Sequence, residues 1–197
     1  MMGWMSEQDI SLRAAECRDA GDIAAIYAPI VRETAISFET DPPSPDTMAA
    51  RIENTLKLYP WLVAVHADDV LGYAYAGEHR QRTAYRWSVD VAVYVAANAR
   101  GRGIGRKLYG ALTRILRAQG FRSAFGCITR PNEASVGLHE AAGFKALGIY
   151  KHVGFKLGEW RDVGWWRLAL TENSDHPAEP IPFAEFRLTP EFTAILG

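Results

Sequence analysis

Between Ser88 and Gln119 the hydrophobic pattern changes its period. Val89, Val91, Val93 and Val95 alternate with Ser88, Asp90, Ala92 and Tyr94, the two-residue repeat of a strand with two unlike faces. From Ile104 onward, Leu108, Ala111, Leu112, Ile115 and Leu116 recur at helical spacing. This predicts a helix from about Ile104 to Gln119, with Gly120 as its C-terminal cap. The turn joining the two, Ala96 to Gly103, is rich in glycine and arginine, and the other predicted elements are arranged around this unit.

Upstream, Ile10 to Ala14 alternates as a short strand, and Asp19 offers an N-cap for a helix carrying Ile23, Ile26, Tyr27 and Ile30 to about Glu33. Pro29 predicts a kink or early break in it. Ala35 to Glu39 is expected to be extended. Ser44 before Pro45 reads as an N-cap with proline at the first helical position, opening a helix to about Leu58. Trp61 to Ala67 and Val70 to Ala76 predict a hairpin around Asp68-Asp69, and His79 to Arg86 a polar, basic loop. Downstream come a strand from Arg122 to Ile128 and a short helix from Asn132 to Ala142 stopped by Gly143. Two further β segments follow, about Lys145 to Phe155 and Val163 to Leu170. The order β-α-α-β-β-β-α-β-α-β-β predicts an α/β (α+β) fold, a mixed sheet with helices on both faces. Residues 10–170 are expected to form one domain, and 171–197, with Pro177, Pro180, Pro182 and Pro190, an extension packed on the surface or disordered.

Composition narrows this little. The 197 residues are 48% hydrophobic and 23% charged, ordinary for a globular chain. A formal net charge of −1 argues against a general nucleic-acid binder. Two cysteines, Cys17 and Cys127, cannot make a disulfide framework, and neither sits near a metal-ligand pattern, so no metal is expected. No apolar run is long enough to span a bilayer, and Met1 to Asp9 shows no signal-peptide pattern. The expected location is therefore the cytoplasm.

Charge matters locally, at the glycine turn. The first N–H groups of a helix have no partner within it, and the peptide dipoles place partial positive charge there. Gly101, Gly103 and Gly105 would let a phosphate approach those amides, and Arg100, Arg102 and Arg106 add full charges. A dinucleotide fingerprint begun at Gly101 fails because Arg106 stands where its last glycine belongs, and a P-loop begun there fails at the same residue. What fits is R-x-x-G-x-G, read as Arg100-Gly101-Arg102-Gly103-Ile104-Gly105.

That turn resembles the acetyl-CoA pyrophosphate loop of the GNAT acyltransferase superfamily, and the element order resembles the GNAT fold, with a mostly antiparallel mixed sheet. Asn132 to Phe144 resembles the family segment N-x-x-S-x-x-L-[YH]-x-x-x-G-F; Asn132, Ser135 and His139 form one stripe able to face one ligand. Four further stretches, Tyr27–Val31, Ala35–Glu39, Ala84–Asp90 and Val153–Val163, resemble the phosphinothricin and methionine sulfoximine acetyltransferase group. The resemblance implies acetyl transfer from acetyl-CoA to the α-amino group of a small amino-acid analogue, by direct attack in a ternary complex.

It also implies roles. An alkylammonium must lose a proton before it attacks a thioester, and Asp90 stands where this family carries an acid, so Asp90 is the expected base. The backbone of Val93, Tyr94 and Val95 is expected to hold the acyl and pantetheine groups. The turn from Arg100 through Arg102, Ile104 and Arg106, with Asn132 and Ser135, is expected to bind the rest of the cofactor. His139 is a candidate acid toward the leaving thiolate. Arg80 and Arg82 offer guanidinium forks to the substrate's anionic groups, with Phe38, Tyr85 and Trp87 as candidate walls. Lys156, Trp160 and Val163 fall in a segment that by resemblance reaches the second subunit of a homodimer. Two alternatives stay open: a related enzyme acting on a protein N-terminus or a polyamine, and a non-catalytic acyl-CoA-binding module.

Overall fold

A computed structural model of the chain describes residues 10–172 and 174–197; Met1–Asp9, where no leader pattern was read, lies outside them. Its central strand bears out the alternation: β4 (Ser88–Val95) buries Val89 and Val91 among the residues of the main helix. Tyr94 turns to the other face, where its ring meets Tyr27 edge-on at 5.1 Å. The main helix, labelled α3 in chain order, spans Ile104–Gln119, with Gly120 capping it at a φ of 95°. Its Leu108, Leu112, Ile115 and Leu116 are fully buried. Each such side chain contributes about 1.5–3 kcal/mol of apolar burial.

The other elements are β1 (Ser11–Ala14), α1 (Ala20–Glu33), α2 (Pro45–Thr55), β2 (Trp61–His66) and β3 (Asp69–Glu78) before β4. After α3 come β5 (Ser123–Arg130), α4 (Glu133–Ala141), β6 (Lys145–Lys156) and β7 (Glu159–Ala169). The chain closes on α5 (Phe183–Phe186) and α6 (Pro190–Leu196). The strands form one seven-stranded sheet in the order β1-β2-β3-β4-β5-β7-β6. Every neighbouring pair is antiparallel except β4 and β5. Helices α1 and α2 cover one face over a core containing Ile23, Met48, Ile52, Val63 and Tyr73. Helix α3 packs over the other.

Several expectations need correction. Pro29 does not break α1, which runs through to Glu33. Pro29 and Ala25 lie on the exposed side of the helix, where water can satisfy the Ala25 carbonyl that has lost its donor. Asp19 does not cap α1 with its side chain; the carboxylate is taken by both Arg13 nitrogens at 2.7 Å and by the Glu16 amide at 2.8 Å. Residues 35–37 form bends within the stretch expected to be extended, and α2 ends at Thr55, short of Leu58. Ser44 is the expected cap, accepting from Thr47 N at 3.1 Å.

The described part of the tail is packed. Phe183, Phe186 and Phe192 are buried with the α3 core. The Ile181 amide donates to Gln119 O at 2.8 Å and Phe183 N to Leu58 O at 3.1 Å. Of the two alternatives the packed one holds here: the prolines punctuate the tail, and the three phenylalanines hold it down.

Candidate active site

β4 and β5 part company early. Only Ser88, Val89 and Asp90 pair with β5, opposite Ser123, Ala124 and Phe125. Beyond Asp90 the two strands diverge, so the facing edges of Val91–Val95 and Gly126–Arg130 carry peptide groups that this pairing leaves unsatisfied. Such groups demand partners. A narrow cavity of about 50 Å³ fills the gap, lined among others by Ala92, Val93, Tyr94, Tyr109, Cys127, Asn132, Ser135 and His139. Val95 lies at the end of the same strand edge. Asp90 sits at the apex of the wedge.

At the mouth of the wedge lies the glycine turn. Gly101 and Gly103 have φ of 76° and 74°, a region that favours glycine, so the turn itself requires them. Gly105 has another duty: a Cβ there would stand 3.0 Å from Leu138 Cδ2, so its absence lets α3 approach α4. Ile104 points its side chain into the core, 2% exposed, and only its amide faces outward at the helix start. Arg100, Arg102 and Arg106 are exposed around these amides. A diphosphate fits this arrangement of amides and guanidinium groups. The large groove of about 590 Å³ on the far side of Arg100 fits it poorly, since Asp22, Glu33 and Asp69 line that groove.

Asn132 caps α4 by accepting from Ser135 N at 3.2 Å. One turn on, the buried His139 has both ring nitrogens engaged, Nδ1 with Ser135 O at 2.7 Å and Nε2 with Tyr109 Oη at 2.9 Å. A carbonyl only accepts, so the proton is assigned to Nδ1 and Tyr109 donates to Nε2. Burial holds this imidazole below its usual range, favouring the neutral form. His139 shares the cavity with Asn132 and Ser135 as the stripe predicts. As placed, both of its nitrogens are taken within the chain, and the ring anchors the cavity wall. Gly126 makes room for it; a Cβ there would lie 2.5 Å from the imidazole.

On the α1–α2 side, residues 37–39 are bolted down. Tyr27 Oη lies 2.6 Å from Ser37 Oγ, Arg51 grips Glu39 at 2.7 and 3.0 Å, and Lys156 Nζ donates to Glu39 O at 2.7 Å. Phe38 thereby lies over Gly154, where a Cβ would collide with its ring at 2.1 Å. Lys156 and Val163 are buried in their own chain, while Trp160 is 62% exposed.

Arg80 packs its guanidinium over the Trp165 ring at 5.4 Å, and Arg82 is exposed beside it in sequence. Tyr85 stands edge-on to His79 at 5.9 Å. Trp87 does not join them: its indole N–H donates to Ala178 O in the tail at 2.8 Å. The polar loop expected from His79 onward is present, and the half-buried His79 at its start has a partner. His79 Nδ1 lies 2.6 Å from Asp90 Oδ1. Sequence reasoning missed it because it ended β3 at Ala76; the strand continues to Glu78 and sets Gly77 opposite Asp90. Among the described residues, no group of three or more His, Cys, Asp and Glu side chains could hold a metal, and no helix is long and apolar enough to cross a membrane.

Known proteins of this shape agree. The sequence profile of the acetyltransferase (GNAT) domain matches residues 12–165. Phosphinothricin N-acetyltransferase of Streptomyces viridochromogenes is 36% identical over 173 residues, covering 88% of this chain and 92% of that protein. The L-methionine sulfoximine/L-methionine sulfone acetyltransferase of Pseudomonas paraeruginosa is 37% identical over 169 residues, 85% of this chain and 98% of its own. The crystal structure of a GNAT superfamily phosphinothricin acetyltransferase from Sinorhizobium meliloti in complex with AcCoA superposes with a TM-score of 0.81 at 34% identity. It covers 89% of this chain and 98% of that one. The parted strands, the glycine turn and the acid at the apex thus belong to a member of the GNAT acetyltransferase family.

Proposed function

We propose that this enzyme transfers the acetyl group of acetyl-CoA to the α-amino group of a small amino-acid analogue of the phosphinothricin or methionine sulfoximine kind. One observation carries the reading: β4 and β5 separate at Asp90, placing a carboxylate where an amine would enter a wedge of unpaired backbone. The relatives named for these substrates support the same class.

Acetyl-CoA supplies the thioester carbonyl. The chain supplies the rest. The amides of the turn at Gly101, Gly103 and Gly105, with Arg100, Arg102 and Arg106, hold the diphosphate, and Asn132 and Ser135 shape the slot beside it. An N–H along Val93–Val95 faces the carbonyl oxygen as negative charge develops there. Asp90 takes the proton from the ammonium, whose freed lone pair then forms the C–N bond as the C–S bond breaks. Arg80 and Arg82 hold the substrate's anionic groups, and Phe38 and Tyr85 wall its side chain. Direct attack is favoured over an acetyl-cysteine relay, because desolvation in the cavity wall pushes the Cys127 thiol up to about 11. The arginines disfavour a polyamine, which would seek carboxylates.

Release of CoA thiol from acetyl-CoA tests the reading. Phosphinothricin, methionine sulfoximine and methionine sulfone are expected to support it and spermidine to fail; release with spermidine alone would sink it.

The same reading makes the enzyme a cytoplasmic homodimer. β6 is a free sheet edge, and Leu147, Phe155 and Trp160 on the β6–β7 hairpin are 59%, 61% and 62% exposed. Edge strands with apolar side chains need cover, and a second copy of the hairpin supplies it. Sedimentation is expected to give twice the chain mass, and Trp160→Glu to shift the protein toward monomer. A wild-type monomer at micromolar concentration would refute this.

A further inference from the structure

The His79–Asp90 contact is more than a surface ion pair. The His79 side chain is 11% exposed, against 37% for Asp90. Its ring stacks on Phe125 at 4.2 Å and 13°, and Tyr85 and Trp165 meet it edge-on at 5.9 and 6.2 Å. Three aromatic rings from different elements therefore fix one imidazole. An ionised carboxylate only accepts, so Nδ1 donates to Asp90 Oδ1, which leaves Nε2 the acceptor in the neutral ring. Among the described residues, Asp90 Oδ2 has no hydrogen-bond partner, and Gly77 beside it leaves open space, with no atom within 4 Å of where its Cβ would stand.

We propose that His79 is a positioning residue for acetyl transfer: its imidazole donates to Oδ1 of Asp90, orients the carboxylate and leaves Oδ2 to the amine. The catalytic role rests on the acetyltransferase reading; the pair itself rests on the geometry. A protonated Asp90 cannot take a proton from R–NH₃⁺. Once Asp90 is ionised, one ammonium proton moves to it, the amine forms the C–N bond as the C–S bond breaks, and the second nitrogen proton passes to the departing thiolate, giving the amide and CoA thiol.

Desolvation raises Asp90, and the hydrogen bond from His79 opposes it. The other polar or charged neighbours are Arg80 and Tyr85 on the following loop, Tyr75 on β3 and Cys127 on β5. Tyr75 is pushed up to about 12 and Cys127 to about 11, both by desolvation. Neither titrates near neutral pH, so the acid limb of kcat is assigned to Asp90.

The test is the kcat–pH profile at saturating acetyl-CoA and methionine sulfone. In His79→Phe, which keeps the stack on Phe125, kcat is expected to fall about tenfold or more and the acid limb to move toward higher pH, because the hydrogen bond that holds Asp90 down is lost. His79→Asn restores a donor to Oδ1, so kcat should largely recover and the limb return toward its wild-type position. A limb unmoved in His79→Phe would overturn the role. Independently of activity, nitrogen NMR of the neutral ring should show the proton of His79 on Nδ1, and on Nε2 in Asp90→Ala; Nε2–H in the wild type overturns the pair. Thiol release with an unmoved limb defeats the positioning role alone, whereas no thiol release with any acceptor defeats the function beneath it.

Discussion

Asp90→Asn is expected to lower kcat by about 10²–10⁴, the usual worth of a general base, with little change in acetyl-CoA affinity. The substitution is nearly isosteric, and an amide oxygen can still accept from His79 Nδ1, which lies 2.6 Å from Oδ1 in the structure. What is lost is basicity. The two features proposed to bind the coenzyme, the wedge edges and the glycine turn, do not depend on this carboxylate, so thermal shifts with acetyl-CoA should match the wild type. Raising the pH should recover part of the rate, because a growing fraction of the amine then enters already deprotonated. A variant that keeps wild-type kcat from pH 6 to 9 would show that Asp90 only orients the ammonium, and the base would have to be sought elsewhere.

The sequence reading succeeded where one element speaks for itself. Helix α3 declares both ends, through the apolar stripe from Ile104 and the left-handed Gly120. The strand before it declares both faces, and Asn132, Ser135 and His139 do share a cavity wall. What sequence could not supply was pairing. Nothing local to Gly77 says that it lies opposite Asp90, because register is fixed by packing across strands. His79 does open a loop, as expected, but its pairing with Asp90 could not be read. Tyr109 drew no reading of its own, although its hydroxyl decides the tautomer of His139. Pro29 misled for the opposite reason: its local rule is sound, but exposure of that helix face lets water compensate. The tail's two alternatives could not be separated from sequence, because the burial of Phe183, Phe186 and Phe192 depends on a surface built by residues far upstream.

Gly103→Val is expected to raise KM for acetyl-CoA by roughly 10²-fold, with kcat and the KM for the amine changing only a few-fold. Gly103 caps α3 at φ 74° and ψ −4°, and its carbonyl accepts the helix's first bond, from Lys107 N at 3.0 Å. A β-branched residue is an outlier there and carries about 1–3 kcal/mol of strain. The turn then either stores that strain or rotates away, and rotation redirects the very amides that face the diphosphate. Each hydrogen bond to a charged group is worth about 1.5–3 kcal/mol and each 1.4 kcal/mol is tenfold in affinity, so losing one or two gives the stated effect. Gly110→Ala in the same helix is the control: a Cβ there meets no atom within 4 Å. It should leave KM untouched and add up to about 1 kcal/mol of stability. If Gly103→Val bound acetyl-CoA as the wild type does, the helix start would not be the diphosphate site, and the wedge would have lost its anchor while keeping its base.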